Sequence, residues 1–393
     1  MKIIRLPVLT QEIALSLPDE WQVEIREVRE ARALGQPELA AALDCPLGTP
    51  GLEKLARGKK RAMILVDDCM RPTPAAEIAP LVVERLLGAG LAEGQIRFML
   101  ATGMHRAQTG RDLVAKLGRD MVSRFEILPH NPYENLAYLG QSPRGIPIWV
   151  NRWVAESDLR VGIGCIIPHS GAGFGGGAKI VMPGVCGIET VAAHHEGVPR
   201  GVGVEGNVWR EEIEAIARQI GLDLVVNAVL NGQGQVAGLF VGDMVAAHRQ
   251  AVALALQLYS VELPRDVDVA ISSGYPMDQE IAQARKAVHL AARCVRPGGS
   301  VALLGECPEG AGFHALYGAG GRFQEKARGG IARALGDRQV WVCSPGVSIS
   351  EARQYLPDSS IVIREPEELV ARLAERHPRA RACVLKQGMM LVA

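Results

Sequence analysis

The chain has 393 residues, about 2.6 domain equivalents at roughly 150 residues each, which predicts two sizeable domains with length to bury a core in each. Hydrophobic residues make up 48% and charged ones 22%, ordinary globular values that exclude disordered, collagenous and coiled-coil classes. Lys+Arg and Asp+Glu are 43 each, so no global field exists to hold a polyanion, and nucleic acid is not an expected partner.

At the N-terminus, MKIIRLPVLTQEIALSLPDE meets Pro7 and acidic residues before any apolar stretch long enough for a signal sequence. No later run approaches the roughly 20 apolar residues of a membrane span, so a cytoplasmic location away from the membrane is expected. Short β-branched runs then alternate with amphipathic stretches, the sign of βα units and a largely parallel sheet. RAMILVDD (61–68) precedes a helix near 75–88, QIRFMLATG (95–103) one near 109–124, and LRVGIGCIIP (159–168) a glycine-rich stretch. WREEIEAIARQIG reads as a helix, DLVVNAVLN and QVAGLFVG as strands, and 244–259 as a long helix.

VELPRD (261–266) reads as a linker, after which a second βα series begins. It runs through DVDVAISSG, the helical QEIAQARKAVHLAARCV, GSVALLGECP, FQEKARGGIARALG, QVWVCSP and EELVARLAERH to RACVLKQG. The expected fold is therefore α/β with two domains, 1–264 and 265–393, each a largely parallel sheet with flanking helices, and the active site in the cleft between them. The eight cysteines include no CxxC and come no closer than 13 positions, which predicts reduced core thiols and argues against a zinc ribbon or disulfide framework.

Ligands of α/β proteins collect at the C-terminal ends of strands, and three successive strand ends here are polar. They are Asp67-Asp68-Cys69-Met70-Arg71-Pro72-Thr73-Pro74, Ala101-Thr102-Gly103-Met104-His105-Arg106, and Pro168-His169-Ser170-Gly171 running on to Lys179. Asp68 and Arg71 fall where a turn brings a carboxylate and a guanidinium together, either as a binder of carboxylate or phosphate or as a loop ion pair with Arg71 capping carbonyls. His105 and His169 each follow a strand and a short polar turn, which suits an acid/base pair, with buried structural histidines as the plain alternative.

GAGFGGGAK (171–179) fails as a Walker A motif, because Ala178 precedes Lys179 and Ile180 follows it. It remains an amide-rich loop leading into an expected helix, either a phosphate cradle with a lysine at its end or a packing turn. The GxGxxG string at 201–206 lacks a preceding strand and is not read as a dinucleotide fingerprint. His194 and His195 lie about 100° apart on an expected helix, so one of them can face Lys179. A metal ligand there has no second histidine at i+4 to support it. Gln283 and Lys286 share a helix face by i, i+3 spacing, the default for which is a solvated surface.

Taken together, DDCMRPTP, ATGMHR, PHSGAGFGGGAKIVMPGV, a histidine 16 positions after Lys179, and QARKA in the second half occur in an order that resembles the lactate racemase family, enzymes of the nickel-pincer nucleotide. The resemblance implies a pyridinium mononucleotide with two sulfur-containing arms, holding nickel through a ring carbon and two sulfurs. It implies covalent attachment of that cofactor to Lys179, with His195 as the fourth nickel ligand and Asp68 and Arg71 as cofactor and substrate contacts. His105 and His169 become the paired acid/base groups, and Arg71, Gln283 and Lys286 the binders of a 2-hydroxy acid. Enzymes of cofactor synthesis and nickel insertion are implied as partners.

The chain departs from the family pattern at Ala282, where a Tyr is usual, at Ala107 and at Val208. A 2-hydroxy acid larger or differently substituted than lactate is an implied substrate. Two other readings remain beside it: an NAD-dependent 2-hydroxy acid dehydrogenase, and a non-catalytic phosphate- or nucleotide-binding protein that uses the 171–179 loop.

Overall fold

The computed structural model describes residues 1–199 and 203–393. The chain forms two compact units, Ala31–Gln257, and Met1–Glu30 together with Leu258–Ala393. This division differs from the contiguous cut expected at 264/265, because the first thirty residues supply strands to the unit built from the C-terminal part. β1 (Lys2–Pro7) and β2 (Glu12–Leu17) pair antiparallel as a hairpin, and β3 (Gln22–Arg26) runs parallel to the last strand of the chain.

The Ala31–Gln257 unit holds β4 (Ala62–Asp67), β5 (Ile96–Ala101), β6 (Glu126–Leu128), a hairpin of β7 (Leu136–Gln141) and β8 (Pro147–Asn151), and β9 (Leu159–Cys165). After them come the two-residue strands β10 (Pro168–His169) and β11 (Gly173–Phe174), then β12 (Leu224–Leu230) and β13 (Val236–Gly242). Its six-stranded sheet has the order β13-β12-β9-β4-β5-β6, parallel except for the β12–β13 pair. β12 is buried at every position, as a strand covered on both faces must be. The helix Ala75–Gly88 buries Ala75, Ile78, Ala79, Val82, Val83 and Leu86, one stripe at helical spacing.

In the other unit β14 (Val267–Ser273), β15 (Val295–Leu304), β16 (Gln339–Cys343), β17 (Ile361–Ile363) and β18 (Arg381–Leu385) join β3 in the order β17-β16-β15-β14-β18-β3. Every pairing in that sheet is parallel. The hairpin residues Ile4, Leu6, Leu15 and Leu17, with Trp21, share one core with this sheet and with Leu369, Val370 and Leu373 of the helix Pro366–Arg376.

Three expected helices take a different form. The one near 109–124 is two, Gly110–Leu117 and Arg119–Arg124, because Gly118 between them has φ +82°. QEIAQARKAVHLAARCV is also split, into Ile281–Ala284 and Ala287–Cys294, where the amides of Lys286 and His289 turn to i−3 carbonyls. The glycine-rich loop ends in a single 3-10 turn, Gly177–Ile180, too short to supply a helix N-terminus to an anion. All eight cysteines are free thiols, but Cys45 is exposed and Cys69 half-buried, so only six are core residues. No helix among the described residues is long and apolar enough to cross a membrane.

Candidate active site

β9, β4 and β5 are neighbouring parallel strands, so their C-terminal ends and the three polar loops lie along one edge of the sheet. In the first loop, Lys116 is buried, pairs with Asp67 Oδ1 at 2.7 Å and donates to the Arg71 carbonyl at 2.9 Å, while the Thr73 hydroxyl bonds the other Asp67 oxygen. The turn is closed by the Arg71 amide on the Asp68 carbonyl at 3.1 Å. Arg71 Nη1 caps the Met70 carbonyl at 2.8 Å, and the Asp68 carboxylate is paired not with Arg71 but with His105, Oδ2 to Nδ1 at 2.6 Å. Asp68 Oδ1 accepts the Met70 amide.

His169 is placed by the miniature β10–β11 hairpin and accepts at Nδ1 from the amides of Gly171 and Ala172, each at 3.1 Å. The loop that follows is pinned from beneath by side chains of the helix Val208–Ile220 and its cap. Asn207 Nδ2 donates to the Gly171 carbonyl, and Arg210 donates to the carbonyls of Phe174 and Gly176 at 3.0 and 3.1 Å. Asn227 Oδ1 accepts the Gly177 amide at 2.8 Å, and His248 Nε2 donates to the Gly175 carbonyl at 2.9 Å. Glu214 holds both Arg210 and Arg249, so the buried guanidinium is neutralised.

Lys179 stands on the 3-10 turn, which packs on β4, β9 and β12. Burial of its amine, then the positive charges of Arg210 and Arg71, bring its pKa down to about 7. Its Nζ has no hydrogen-bond partner among the described residues. The nearby thiols are unsuited to nucleophilic work, since burial pushes both Cys69 and Cys165 up to about 12.

On the helix Ile188–Gly197, His194 and His195 both pack edge-on against Trp209, at 4.7 and 4.8 Å between ring centres. His194 is fully buried, donates from Nε2 to the Trp209 carbonyl at 3.2 Å, and is held neutral by burial with a pKa near 4. His195 donates from Nδ1 to the Val191 carbonyl at 2.7 Å, which leaves Nε2 as the nitrogen bearing the lone pair. In the other unit, Lys286 Nζ donates to Gln283 Oε1, and Gln283 is only 3% exposed, so this pair is not a solvated helix face.

Residues 9–202 match the lactate racemase N-terminal domain and residues 261–328 the lactate racemase C-terminal domain. A lactate racemase of Lactiplantibacillus plantarum is 35% identical over 292 residues, 72% of this chain and 68% of that protein. The chain belongs to the lactate racemase family. A second lactate racemase, of Thermoanaerobacterium thermosaccharolyticum, is 28% identical over 80% of this chain and 76% of its own length. The lactate racemase apoprotein structure from that organism superimposes with a TM-score of 0.81 at 23% identity, covering 100% of this chain and 99% of its own. A Thermotoga maritima protein follows at a TM-score of 0.68 and 19% identity, covering 92% and 99%.

As a member of this family the chain is an isomerase of the racemase type. The dehydrogenase reading gains no support, since 203–206 are bends and turns rather than a strand-to-helix crossing, and Gly201 and Val202 lie outside the described residues. Arg210, Glu214, Asn227 and His248 shape the lysine loop and are not among the residues that the sequence pattern marked. Asn227 offered a signal, a lone amide within the apolar run DLVVNAVLN, and Arg210 and Glu214 are an i, i+4 pair.

Proposed function

We propose that the protein is a racemase or epimerase of a 2-hydroxy acid, working by reversible hydride transfer to a nickel-pincer nucleotide held covalently on Lys179. The observation that carries this reading is Lys179 itself, an amine without a hydrogen-bond partner among the described residues, with a pKa near 7, at the end of a loop whose carbonyls are tied down. A substantial fraction of it is an unprotonated nucleophile at neutral pH, as attachment of a cofactor requires.

The donor set also fits the group. Among the described residues no three His, Cys, Asp or Glu side chains converge to hold a metal, so a metal on His195 Nε2 would take its remaining donors from outside the protein. The Val191 carbonyl fixes the tautomer that ligation needs. The buried Asn227 Nδ2, beside the loop and with no hydrogen-bond partner among the described residues, is a further donor for an anionic or carbonyl group. When bound, the cofactor supplies a reversible hydride acceptor, so that the substrate passes through the 2-keto acid.

The chain supplies the rest. His105 and His169 handle the hydroxyl proton, Arg71 holds carboxylate or phosphate oxygens, and Gln283 and Lys286 bind substrate. Lactate is the substrate named for both relatives. A larger 2-hydroxy acid is the alternative here, since buried Ala282 stands beside Gln283. The enzymes of cofactor synthesis and nickel insertion are its partners, and the cytoplasm its location.

The test is intact mass and nickel content of protein made in a host that also carries the cofactor-synthesis enzymes, beside Lys179→Ala. The expected result is a cofactor-sized mass increment with nickel, both lost in the variant, and racemisation within a panel of 2-hydroxy acids. An unmodified, nickel-free chain would overturn the reading.

A further inference from the structure

Arg285 is a buried charge for which the chain supplies no counterpart. It lies where the helix of QARKA breaks, between Ile281–Ala284 and Ala287–Cys294, and only 7% of it is exposed. Its side chain makes no ion pair and no hydrogen bond among the described residues, and Nε is sealed from solvent. Burial brings its pKa down to about 10, against the opposing pull of Tyr355, Glu280 and Tyr317, so the group is still charged at neutral pH. The buried cations Lys116 and Arg210, by contrast, are matched by Asp67 and Glu214.

The surroundings hold the guanidinium still and leave its donors unused. Its Cζ stands 4.7 Å from the centre of the Tyr355 ring, two positions beyond the helix Ile349–Arg353. Stacking occupies a face of the guanidinium, whereas its N–H groups lie in the plane and stay available. Tyr355 is itself 1% exposed, and its buried hydroxyl has no hydrogen-bond partner among the described residues. Two polar groups thus meet in one contact of the unit that holds Leu258–Ala393, and neither has an acceptor. Glu280 raises the pKa of Arg285 from a distance but forms no ion pair with it. A buried charge left unpaired is strongly destabilising, so it is retained where a counter-ion arrives from outside.

We propose that Arg285 and Tyr355 form a receptor for one carboxylate group, a binding site beyond the residues assigned to the reaction above. The planar fork of a guanidinium fits a carboxylate with two parallel N–H bonds, and the tyrosine O–H supplies a further donor. One negative charge neutralises Arg285. A phosphate dianion would bring a second charge into the reach of the fully buried Glu280 carboxylate, which favours the monoanion. The carboxylate has two sources. It is either the second acid group of a 2-hydroxy diacid, since Arg285 lies between Gln283 and Lys286 in the chain, or the acid group of a separate small molecule. Only the first source rests on the 2-hydroxy acid reading above; the receptor itself does not.

The experiment is thermal melting of the full chain without cofactor, in a low-salt buffer free of carboxylates. Arg285→Met keeps the stem and removes an unpaired charge, so it should melt at or above wild type there. Sodium propanoate should raise the wild-type Tm by roughly 5 °C or more at a hundredfold excess over Kd. Chloride or phosphate at the same ionic strength should not. The rise should vanish in Arg285→Met and shrink in Arg285→Lys, which keeps the charge without the fork, and Tyr355→Phe should bind propanoate about tenfold more weakly. A lower Tm of Arg285→Met in the carboxylate-free buffer would make the guanidinium a structural group and overturn the proposal. No propanoate shift, or an equal shift in wild type and Arg285→Met, would also overturn it. Loaded enzyme then separates the sources. If the carboxylate belongs to the substrate, the ratio of kcat/KM for 2-hydroxysuccinate to that for lactate falls at least about tenfold in Arg285→Met, and an unchanged ratio assigns the receptor to a separate acid. Loaded wild type that racemises no 2-hydroxy acid would overturn the proposed reaction, and the cofactor-free melts keep the two failures apart.

Discussion

Lys179 and His195 show how single residues acquire chemistry from their surroundings. An amine with a pKa near 7 is protonated below that value and free above it. Acylation of Lys179 should therefore rise with pH to about 7 and level off, whereas a solvent lysine keeps gaining towards roughly 10.4. Competitive labelling with an amine-reactive ester across pH, followed by peptide mass mapping, reads this directly, and a rate still climbing at high pH would mean an ordinary lysine. At His194 and His195, backbone carbonyls fix which ring nitrogen carries the proton, and on the proposed function His195 is the nickel ligand. His195→Ala should lose nickel from the loaded protein with little change in Tm. His194→Ala, which empties a fully buried position, should keep much of the nickel but lower stability by about 2 kcal/mol. Metal analysis and thermal melts of the two variants distinguish them.

Among the elements, the glycine-rich loop depends on the helix Val208–Ile220 rather than on its own propensities. Gly177 has φ +59°, and a Cβ there would stand 2.7 Å from Arg210 Nη2 and 2.9 Å from the Met244 carbonyl. Gly177→Ala must displace the loop from its anchors, with a destabilisation of about 1–3 kcal/mol and reduced cofactor attachment, checked by denaturant melts and intact mass. Arg210→Met removes the guanidinium from Phe174, Gly176 and Glu214 at once. Its cost is placed at roughly 3–5 kcal/mol, moderated by the remaining Arg249–Glu214 pair. A variant as stable as wild type would show that the loop holds its shape without this anchor.

For the molecule as a whole, the consequence of a discontinuous unit is that residues 265–393 do not contain their own core. Trp21 is fully buried in it and donates to the His377 carbonyl at 2.9 Å, and β3 occupies one edge of its sheet. A fragment starting at 258 should fail to give a cooperative melt, and fusing residues 1–30 to it through a flexible linker should restore one. Trp21→Ala in the full chain should destabilise this unit by about 3–5 kcal/mol, seen in hydrogen exchange at β14 and β18. Equal protection in variant and wild type would mean that the hairpin core contributes little.

The sequence by itself determined the alternation of strands and helices, the three polar strand ends and the resemblance that they carry. These are local signals, because apolar period and turn chemistry are written within about ten residues of one another. Through that resemblance it also pointed to Lys179 and His195, since the resemblance is carried by a glycine-rich lysine motif and a fixed spacing, which are linear patterns. Only the tertiary structure decided that Asp68 serves His105 rather than Arg71, that Gln283 is buried, and that Arg210, Asn227 and His248 hold the lysine loop. It alone placed the first thirty residues in the unit of the C-terminal half. The pairings among these join residues from 34 to 359 positions apart, and side-chain pairing at that range is set by how the sheets stack their strands, which no local pattern encodes.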